Sequence, residues 1–314
     1  MSLVTLALGL ILLVAGAQGV VRGSTVLAQR FNIPPFVIGL TVVGFATSTP
    51  EFAASVGAAV AEFPDIAVGT VIGSNTANVL LILGLTAIIH PLTVDRRTLR
   101  RDGIVMLLAT AIVFALMVGG AIGRPVGWIM LAAFAIYLLF VLGTERQPTA
   151  RLNPVLATRV ELVGRKPGHP VLAALLALAG LAALVVGATW LIEGAAALAF
   201  DRGVPLSVIG LTIIAITTSL PELVTSITAA ARGQAALALG NIVGSNIFNV
   251  MGILATVGVV HPLTFPAELA GLDVYVMIAA GVVLFVFAAT ELKITRREGL
   301  IMLAGYIAYL GFRL

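Results

Sequence analysis

The sequence predicts an all-α polytopic membrane protein built from two related halves, and three observations support this fold class. The composition is 60% hydrophobic and only 10% charged, with a mean hydropathy of +1.13, whereas soluble domains carry about 25% charged residues. Apolar runs of roughly 20 residues, long enough to cross a bilayer, recur along the whole chain. Several short motifs also occur twice at one constant spacing.

Ten apolar runs are each predicted to form a membrane-spanning helix. The first is not a cleavable signal, because its first charge, Arg22, follows the apolar run instead of preceding it. The chain contains no cysteine, which excludes a disulfide framework and a thiolate metal site. The predicted spans are residues 2–21, 36–61, 66–89, 102–122, 125–143, 170–200, 206–231, 235–260, 271–290 and 297–313.

Segments of the first half return in the second half at an offset of 171 residues. Residues 145–169, the only long polar connection, join a first five-helix half (1–144) to a second (170–314). Because each half has an odd number of spans, the second must enter the membrane from the opposite face, which makes an inverted-topology repeat. The clearest matching segments are 37–41 with 208–212, 71–75 with 242–246, and 90–93 with 261–264.

The basic residues predict the orientation in the membrane. If the N-terminus is outside, 15 of the 18 Lys and Arg residues fall in inside loops, and only Arg124, Arg202 and Arg313 do not. The positive-inside rule therefore places the N-terminus outside and the 145–169 linker in the cytoplasm. We expect a multi-pass protein of the cell (inner) membrane, whose pI of about 10.0 reflects this bias and not binding to nucleic acid.

One pentapeptide pattern occurs in both halves and puts a carboxylate deep in apolar sequence. Residues 47–51 read TSTPE and residues 218–222 read TSLPE, so Glu51 and Glu222 are repeat mates. A charged side chain at the bilayer centre costs about 3 kcal/mol or more, and such residues usually mark an ion or proton path. No Lys or Arg lies at a comparable depth. The two acids must therefore bind cations or be protonated.

The prolines of these motifs predict further oxygen ligands. Pro50 and Pro221 lack an amide hydrogen and should release main-chain carbonyl groups from the helix ladder one turn earlier. Free carbonyls at membrane depth are tolerated only where buried protein or a cavity satisfies them. Together with neighbouring hydroxyl groups and carboxylates, they form the all-oxygen set that hard cations prefer. The hydroxyl side chains are those of Thr47, Ser48, Thr218 and Ser219.

The third and eighth predicted spans carry a second paired motif, GSNTAN at 73–78 and GSNIFN at 244–249. In each copy the serine and the last asparagine are four residues apart and share a helix face; we interpret the last asparagine as a cation ligand or a close neighbour of the ligands, and the small glycine and serine as residues that allow close helix approach. Amides in membranes commonly hydrogen-bond between helices, and the middle asparagine of each copy is interpreted as structural. The ligand candidates are Asn78 and Asn249, the structural asparagines are Asn75 and Asn246, and the serines on the ligand face are Ser74 and Ser245.

Paired in this way, the motifs resemble those of the cation/calcium exchanger superfamily, and specifically its Na⁺/Ca²⁺ exchanger branch. The resemblance covers nearly the whole chain and rests on two repeats, Gly44–Gly84 and Ala215–Leu254. It implies ten helices in two inverted halves, Ca²⁺ held by two Glu side chains and nearby carbonyls, and a first and a sixth helix that slide as a pair. The implied cation-site residues are Glu51, Glu222, Asn78, Asn249, Thr47, Ser48, Thr218, Ser219, Ser74, Ser245 and Ala215.

One position departs from the family pattern. Many exchangers of this branch carry Asp at the position matching Asn249, whereas this chain has Asn at both Asn78 and Asn249. The site therefore has one acidic group fewer than in those relatives, which leaves open the number of Na⁺ ions exchanged per Ca²⁺. The hydroxyl-rich motif favours Na⁺, while the charge of two carboxylates also matches that of two protons.

The predicted function is secondary active exchange of Na⁺ for Ca²⁺ by alternating access. Exchange of H⁺ for Ca²⁺, or transport of another divalent cation by the same fold, is the alternative. A passive cation channel and an intramembrane enzyme using the two glutamates as acid and base have no further support, because no nucleophile–base set, phosphate loop or His-rich motif is present. We expect no enzymatic activity and no cofactor. The expected partners are inorganic cations and the lipid bilayer, with no nucleic acid and no protein partner.

Overall fold

The computed structural model describes residues 2–144, 169–201, 218–267 and 269–313, most of them in helices. The predicted linker lies outside the described residues except for His169, and so does the first part of the predicted seventh span. Helices predominate because a bilayer requires each segment to satisfy its own backbone hydrogen bonds. The helices are α1 (Ser2–Phe31), α2 (Pro35–Thr47), α3 (Thr49–Val60), α4 (Pro64–Ala77, continuing through Asn78–Leu83 and Gly84–Ile89), α5 (Arg96–Gly119), α6 (Arg124–Thr144), α7 (Pro170–Asp201), α8 (Leu220–Ala231), α9 (Ala235–Phe248, continuing through Asn249–Leu254 and Ala255–Val260), α10 (Leu272–Glu291) and α11 (Arg296–Arg313).

Among the described residues, seven helices are long and apolar enough to cross a bilayer, and the bent pair α2–α3 makes an eighth span. The described part of α8 has 12 residues, and α11, with 18 residues, begins on the charged sequence Arg296-Arg297-Glu298. These two helices coincide with the seventh and tenth predicted spans. The all-helical class is confirmed, and the count of ten spans stays a prediction.

The first helix is longer than the sequence predicted. We expected the span to end at residue 21, but α1 continues to Phe31 and contains 30 residues. At 1.5 Å per residue it measures about 45 Å, more than a hydrocarbon core of about 30 Å. The apolar run marks where the hydrocarbon ends and not where the helix ends. Arg22 is exposed on α1, and its long side chain can reach the polar interface from within a helix.

α1 and α7 form the most extensive helix pair, and glycines bring them together at two points. A Cβ atom at Gly16 would lie 2.6 Å from the carbonyl oxygen of Gly180, and one at Gly9 would lie 2.8 Å from that of Gly187. The same distances hold in reverse, from Gly180 to Gly16 and from Gly187 to Gly9. Small residues permit this close approach of two backbones. The 171-residue offset relates Gly9 to Gly180 and Gly16 to Gly187. The Gly9–Gly187 contact is therefore the repeat mate of the Gly16–Gly180 contact.

Four two-residue strands form two small clasps between the halves. The first clasp pairs β1 with β4 in antiparallel register, and the second pairs β2 with β3. The repeated sequence HPLT at 90–93 and 261–264 supplies β1 and β3, so this motif encodes inter-half pairing. The offset carries β1 onto β3 and brings β2 within one residue of β4. The strands are β1 (Leu92–Thr93), β2 (Ala121–Ile122), β3 (Leu263–Thr264) and β4 (Lys293–Ile294).

α4 and α9 lie at the centre of the molecule. Their spans are 72% and 83% buried, against 22% to 39% for the other five unbroken spans among the described residues. Each of the two contains a π-helical turn that begins at an asparagine, Asn78 in α4 and Asn249 in α9. Such turns are frequent at functional sites. The two asparagines are repeat mates, so the same distortion is built into both halves.

Two buried acid–tyrosine pairs join neighbouring helices away from the centre. In the first half, the fully buried Asp102 accepts a hydrogen bond from the Tyr137 hydroxyl at 2.7 Å and forms an ion pair with Arg101 at 2.8 Å. In the second half, Asp273 accepts a hydrogen bond from Tyr309 at 2.6 Å. These pairs tie α5 to α6 and α10 to α11. The sequence analysis did not single out either acid, because both lie in first turns of predicted spans.

Two arginines that were predicted on the inside face lie close to each other. Arg22 is on α1, and Arg232 follows the last residue of α8. Partial burial and, to a smaller extent, the nearby Arg22 guanidinium lower the pKa of Arg232. This repulsion indicates that both groups lie at the same end of the molecule, and which side of the membrane that end faces stays a prediction.

Candidate cation site

The site is organised by two equivalent serines, one at a break between helices and the other at a helix start. Ser48 separates α2 from α3, which are bent by 47° to each other, and Ser219 immediately precedes α8. The backbone angles nearly coincide, φ −83° and ψ 11° at Ser48 against φ −89° and ψ 5° at Ser219. A proline in the first turn needs no hydrogen-bond partner for its nitrogen, so TSTPE and TSLPE both start a new helix at this point.

Glu51 and Glu222 occupy the first turns of α3 and α8, where the helix dipole favours negative charge. Both side chains are only 1% exposed. The Ser48 hydroxyl donates a hydrogen bond to Oε1 of Glu222 at 2.8 Å, and the Ser219 hydroxyl donates to Oε1 of Glu51 at 3.3 Å. Each serine therefore binds the acid of the other half. The predicted meeting of the two motifs at one site agrees with these contacts.

This crossed arrangement was missed in the sequence. Residues 48–51 and 219–222 both follow the S-x-x-E pattern of a capping box, in which serine and glutamate bond within one helix terminus. Neither serine caps its own helix with its side chain. The hydroxyl groups instead bridge the two halves, so the local pattern is used for tertiary pairing.

The asparagines of α4 and α9 form a hydrogen-bonded chain. Asn75 donates from Nδ2 to the main-chain carbonyl of Asn246 at 3.2 Å, which leaves its Oδ1 as an acceptor. Asn249 donates from Nδ2 to that Oδ1 at 3.0 Å. The predicted structural role of Asn75 therefore matches its contacts, since it joins the two central helices. The same hydrogen bond uses the Nδ2 group of Asn249, and its Oδ1 has no hydrogen-bond partner.

Four buried oxygen atoms at the centre have no hydrogen-bond partner. They are Oε2 of each glutamate and Oδ1 of each terminal asparagine of the two GSN motifs, and every one of these side chains is 1% exposed. A buried acceptor without a partner costs about 1–3 kcal/mol, so four together call for a ligand. All four oxygens offer lone pairs, and carboxylate and amide oxygens are ligands that a hard cation prefers. The atoms belong to Glu51, Glu222, Asn78 and Asn249.

The predicted hydroxyl ligands lie around these four oxygens. Ser245 donates to the carbonyl oxygen of Gly44 at 3.2 Å, and Thr47 lies 3.3 Å from the same oxygen. Ser74 accepts a hydrogen bond from Ser219 at 3.4 Å. All four hydroxyl side chains are buried, and Thr218 at the edge of the site is half-buried. Ala215, predicted as a carbonyl ligand, lies outside the described residues, and its repeat mate is Gly44.

An amide that the sequence analysis overlooked also reaches the site. Asn241, on α9 and fully buried, accepts a hydrogen bond from Thr47 at 3.1 Å and donates to Ser226 at 2.9 Å. It lies one helical turn before Ser245, and this spacing places both on one face. The spacing was visible in the sequence, but its repeat mate is Thr70 and a search for matched pairs passes over it.

One wall of the site is aromatic. Phe45 and Phe248 stack with ring centroids 4.6 Å apart, Phe52 lies 6.5 Å from Phe248, and Phe134 lies 5.5 Å from Phe45. The rings flank the break at Ser48 and the π-helical turn of α9. Apolar rings at this place lower the local polarity, and charges interact more strongly there than in bulk solvent.

The electrostatics of the site are those of two acids without a protein counter-charge. Among the residues that the structure describes, neither Glu51 nor Glu222 forms an ion pair, and no cluster of three His, Cys, Asp or Glu side chains occurs. Among the described residues, softer metals that favour imidazole or thiolate therefore find no cluster of such ligands. Carboxylate, amide, hydroxyl and carbonyl oxygens suit hard cations.

Comparisons with known proteins cover both halves of the chain. The family described as "Sodium/calcium exchanger protein" matches residues 1–143 and 172–314. The sodium/calcium exchanger MaX1 of Methanosarcina acetivorans is 32% identical over 336 aligned residues, which cover 97% of this chain and 96% of MaX1. The inner membrane protein YrbG of Escherichia coli is 37% identical, with 84% of this chain and 82% of YrbG covered.

The fold agrees with that of a solved exchanger. The sodium-calcium exchanger NCX_Mj, soaked with Na⁺ and Ca²⁺, superposes with a TM-score of 0.84 at 34% identity, over 99% of this chain and 97% of that chain. The relatives with named activities are exchangers and not enzymes. The comparisons accordingly identify a multi-pass membrane protein that transports inorganic cations, and this chain belongs to the sodium/calcium exchanger family.

Proposed function

We propose that the protein is a secondary active antiporter that exchanges Na⁺ for Ca²⁺ by alternating access, and that the competing ions share the site between Glu51 and Glu222. The observation that carries the proposal is the set of four unpartnered acceptor oxygens, one from each glutamate and one each from Asn78 and Asn249. They belong to the first turns of α3 and α8 and to the two central helices, which are joined by the Ser48–Glu222, Ser219–Glu51 and Ser219–Ser74 hydrogen bonds. A bound cation would satisfy all four at once.

Charge balance favours exchange over simple binding. Two carboxylates without a basic partner are neutralised by one Ca²⁺ or by two Na⁺, and leaving a buried charge uncompensated is strongly unfavourable. Ions of either kind therefore occupy the site in turn and exclude one another. The printed names of MaX1 and NCX_Mj as sodium/calcium exchangers support Na⁺ as the driving ion.

We propose the transport architecture on the same basis. Two inverted five-helix halves, residues 1–144 and 170–314, are joined by a cytoplasmic linker, 145–169, with the N-terminus outside the inner membrane. The exchange of glycine contacts and of strand clasps under the 171-residue offset supports this symmetry. The close α1–α7 pair is the element that slides to open the site to each side.

The test is ion flux into vesicles that contain the purified protein. Uptake of ⁴⁵Ca²⁺ that follows an imposed Na⁺ gradient, and not a pH gradient, is the expected result. Glu51→Gln and Glu222→Gln should each abolish this uptake, because a neutral amide cannot balance a divalent ion. Glu291→Gln is the matched control, since Glu291 is exposed at the end of α10.

Three outcomes would contradict the proposal. Full uptake by either site variant would refute the site assignment. Uptake driven only by a pH gradient would establish H⁺/Ca²⁺ exchange in place of Na⁺/Ca²⁺ exchange. Flux of Ca²⁺ without any counter-ion would indicate a channel.

A further inference from the structure

Asn241 is the point at which the two halves of the site differ. Its side chain joins Thr47 of the first half to Ser226 of the second, and its Nδ2 also lies 3.5 Å from the main-chain carbonyl of Glu222. A fully buried amide that connects three parts of the cation site is a candidate for controlling its geometry.

The first half has no equivalent amide. The 171-residue offset relates Asn241 to Thr70, and the Thr70 hydroxyl donates to the carbonyl of Ile66 in its own helix at 2.7 Å. Ser55, the repeat mate of Ser226, is fully buried and its hydroxyl has no hydrogen-bond partner. No amide stands at position 70 to fill the role that Asn241 fills for Ser226. The two halves therefore present different hydroxyl environments to an ion.

The amide of Asn241 has a defined orientation. Its Nδ2 group is a donor to Ser226, so its Oδ1 is fixed as the acceptor for the Thr47 hydroxyl. Two other acceptors lie near that hydroxyl, the Gly44 carbonyl at 3.3 Å and the Glu222 carboxylate. A hydroxyl can bind a cation through its lone pairs only when its proton is directed elsewhere. Asn241 takes this proton and leaves the lone pairs of Thr47 for an ion.

We propose that Asn241 is a positioning residue that holds the Thr47 hydroxyl ready for Na⁺, so that the Thr47 side of the site binds Na⁺ more tightly than the Thr218 side. The inference rests on the proposed function, because it assigns an order to the ions at that same site. Ca²⁺ depends mainly on the two carboxylates, neither of which bonds to the Asn241 side chain. Loss of Asn241 therefore weakens Na⁺ binding selectively.

The experiment measures binding of both ions to the purified, full-length protein. ⁴⁵Ca²⁺ binding at equilibrium gives the Ca²⁺ affinity, and its displacement by NaCl gives the Na⁺ affinity. Asn241→Leu keeps the approximate size and removes both hydrogen-bonding groups. We expect the apparent Na⁺ affinity to fall about fivefold, the equivalent of one neutral hydrogen bond, with Ca²⁺ affinity changed less than about twofold.

Further variants separate positioning from a structural role. Asn241→Thr copies the residue that the mate position already carries, and it should reproduce the selective loss if the leucine variant fails to fold. In a Thr47→Val background, Asn241→Leu should cause no additional loss of Na⁺ affinity, because the group through which it acts is gone. Thr70→Val is the matched control and should leave both affinities unchanged, since Thr70 bonds only within its own helix.

The outcomes distinguish failure of the positioning role of Asn241 from failure of the proposed exchange function. A parallel fall in Na⁺ and Ca²⁺ affinity in both Asn241 variants, or additive effects of the Asn241 and Thr47 substitutions, would overturn the positioning role and leave the exchange function intact. If Na⁺ does not displace ⁴⁵Ca²⁺ from the unmodified protein at any concentration, the proposed function fails, and the positioning role fails with it.

Discussion

Replacing Asn249 by Asp tests how many charges the site carries. Asn249 donates a hydrogen bond to Oδ1 of Asn75 at 3.0 Å. In Asn249→Asp an oxygen takes the place of the donor, and two acceptor oxygens then face each other. Asn75 cannot turn its amide to compensate, because its Nδ2 already donates to the carbonyl of Asn246. The ion-free protein should lose about 1–3 kcal/mol of stability from this position alone.

Cations should reverse this loss. A unit charge about 4 Å from another contributes about 4 kcal/mol at an effective dielectric constant of 20, and the attraction to a divalent ion is larger. This gain exceeds the cost of the lost hydrogen bond. We expect Asn249→Asp to be less stable than the unmodified protein without ions, to gain more stability from Ca²⁺, and to show a steeper dependence of transport on Na⁺.

Thermal unfolding of the purified protein, with and without Ca²⁺, measures the first two effects, and ⁴⁵Ca²⁺ uptake across a range of Na⁺ concentrations measures the third. Asn249→Ala is the matched control, because it loses the same hydrogen bond without adding charge. Equal Ca²⁺-induced stabilisation of the Asp and Ala variants, together with an unaltered Na⁺ dependence, would show that position 249 does not contact the ions.

Two further substitutions test the scaffold. Gly16→Leu should separate α1 from α7, because even a Cβ would lie 2.6 Å from the Gly180 carbonyl oxygen; overpacking of this kind costs about 1–3 kcal/mol, and Ca²⁺ uptake should be lost. Gly305→Leu is its control, since nothing lies within 4 Å of a Cβ at that position, and equal uptake by both variants would exclude a role for the contact. Tyr137→Phe removes the hydroxyl that donates to Asp102 and should lower the midpoint of thermal unfolding by an amount corresponding to about 1–3 kcal/mol, without changing Na⁺ dependence; an unaltered midpoint would contradict a stabilising role.

Hydrophobic periodicity and internal repetition predicted the helical fold and the two-half site, each for its own physical reason. Each span must be apolar and helical, and a site made of two halves leaves the same residues twice in the sequence. The central positions of Glu51 and Asn78 followed from this logic, as did those of their mates. The end of α1 did not, because hydropathy reports contact with lipid, whereas a helix continues wherever its backbone bonds are satisfied.

The contacts that cross between halves could not be predicted from local patterns. The S-x-x-E sequence at 48–51 indicates a cap within one helix, yet the Ser48 hydroxyl binds Glu222. A tertiary partner replaced the local one because the same atoms are within reach only after the halves assemble. Asn241 was missed for the opposite reason, since it has no matching residue in the first half and so carried no repeat signal.

The strand clasps bear on how the chain matures as it leaves the ribosome. β1 is synthesised with the first half, but its partner β4 follows α10, close to the end of the chain. Until β4 is synthesised, the backbone of Leu92–Thr93 has no partner strand to pair with. Insertion of the first helices is therefore not enough to finish that half, and a truncated product that ends before residue 293 would expose an open strand edge to quality-control proteases. Synthesis of β4 thus decides whether everything translated before it is kept.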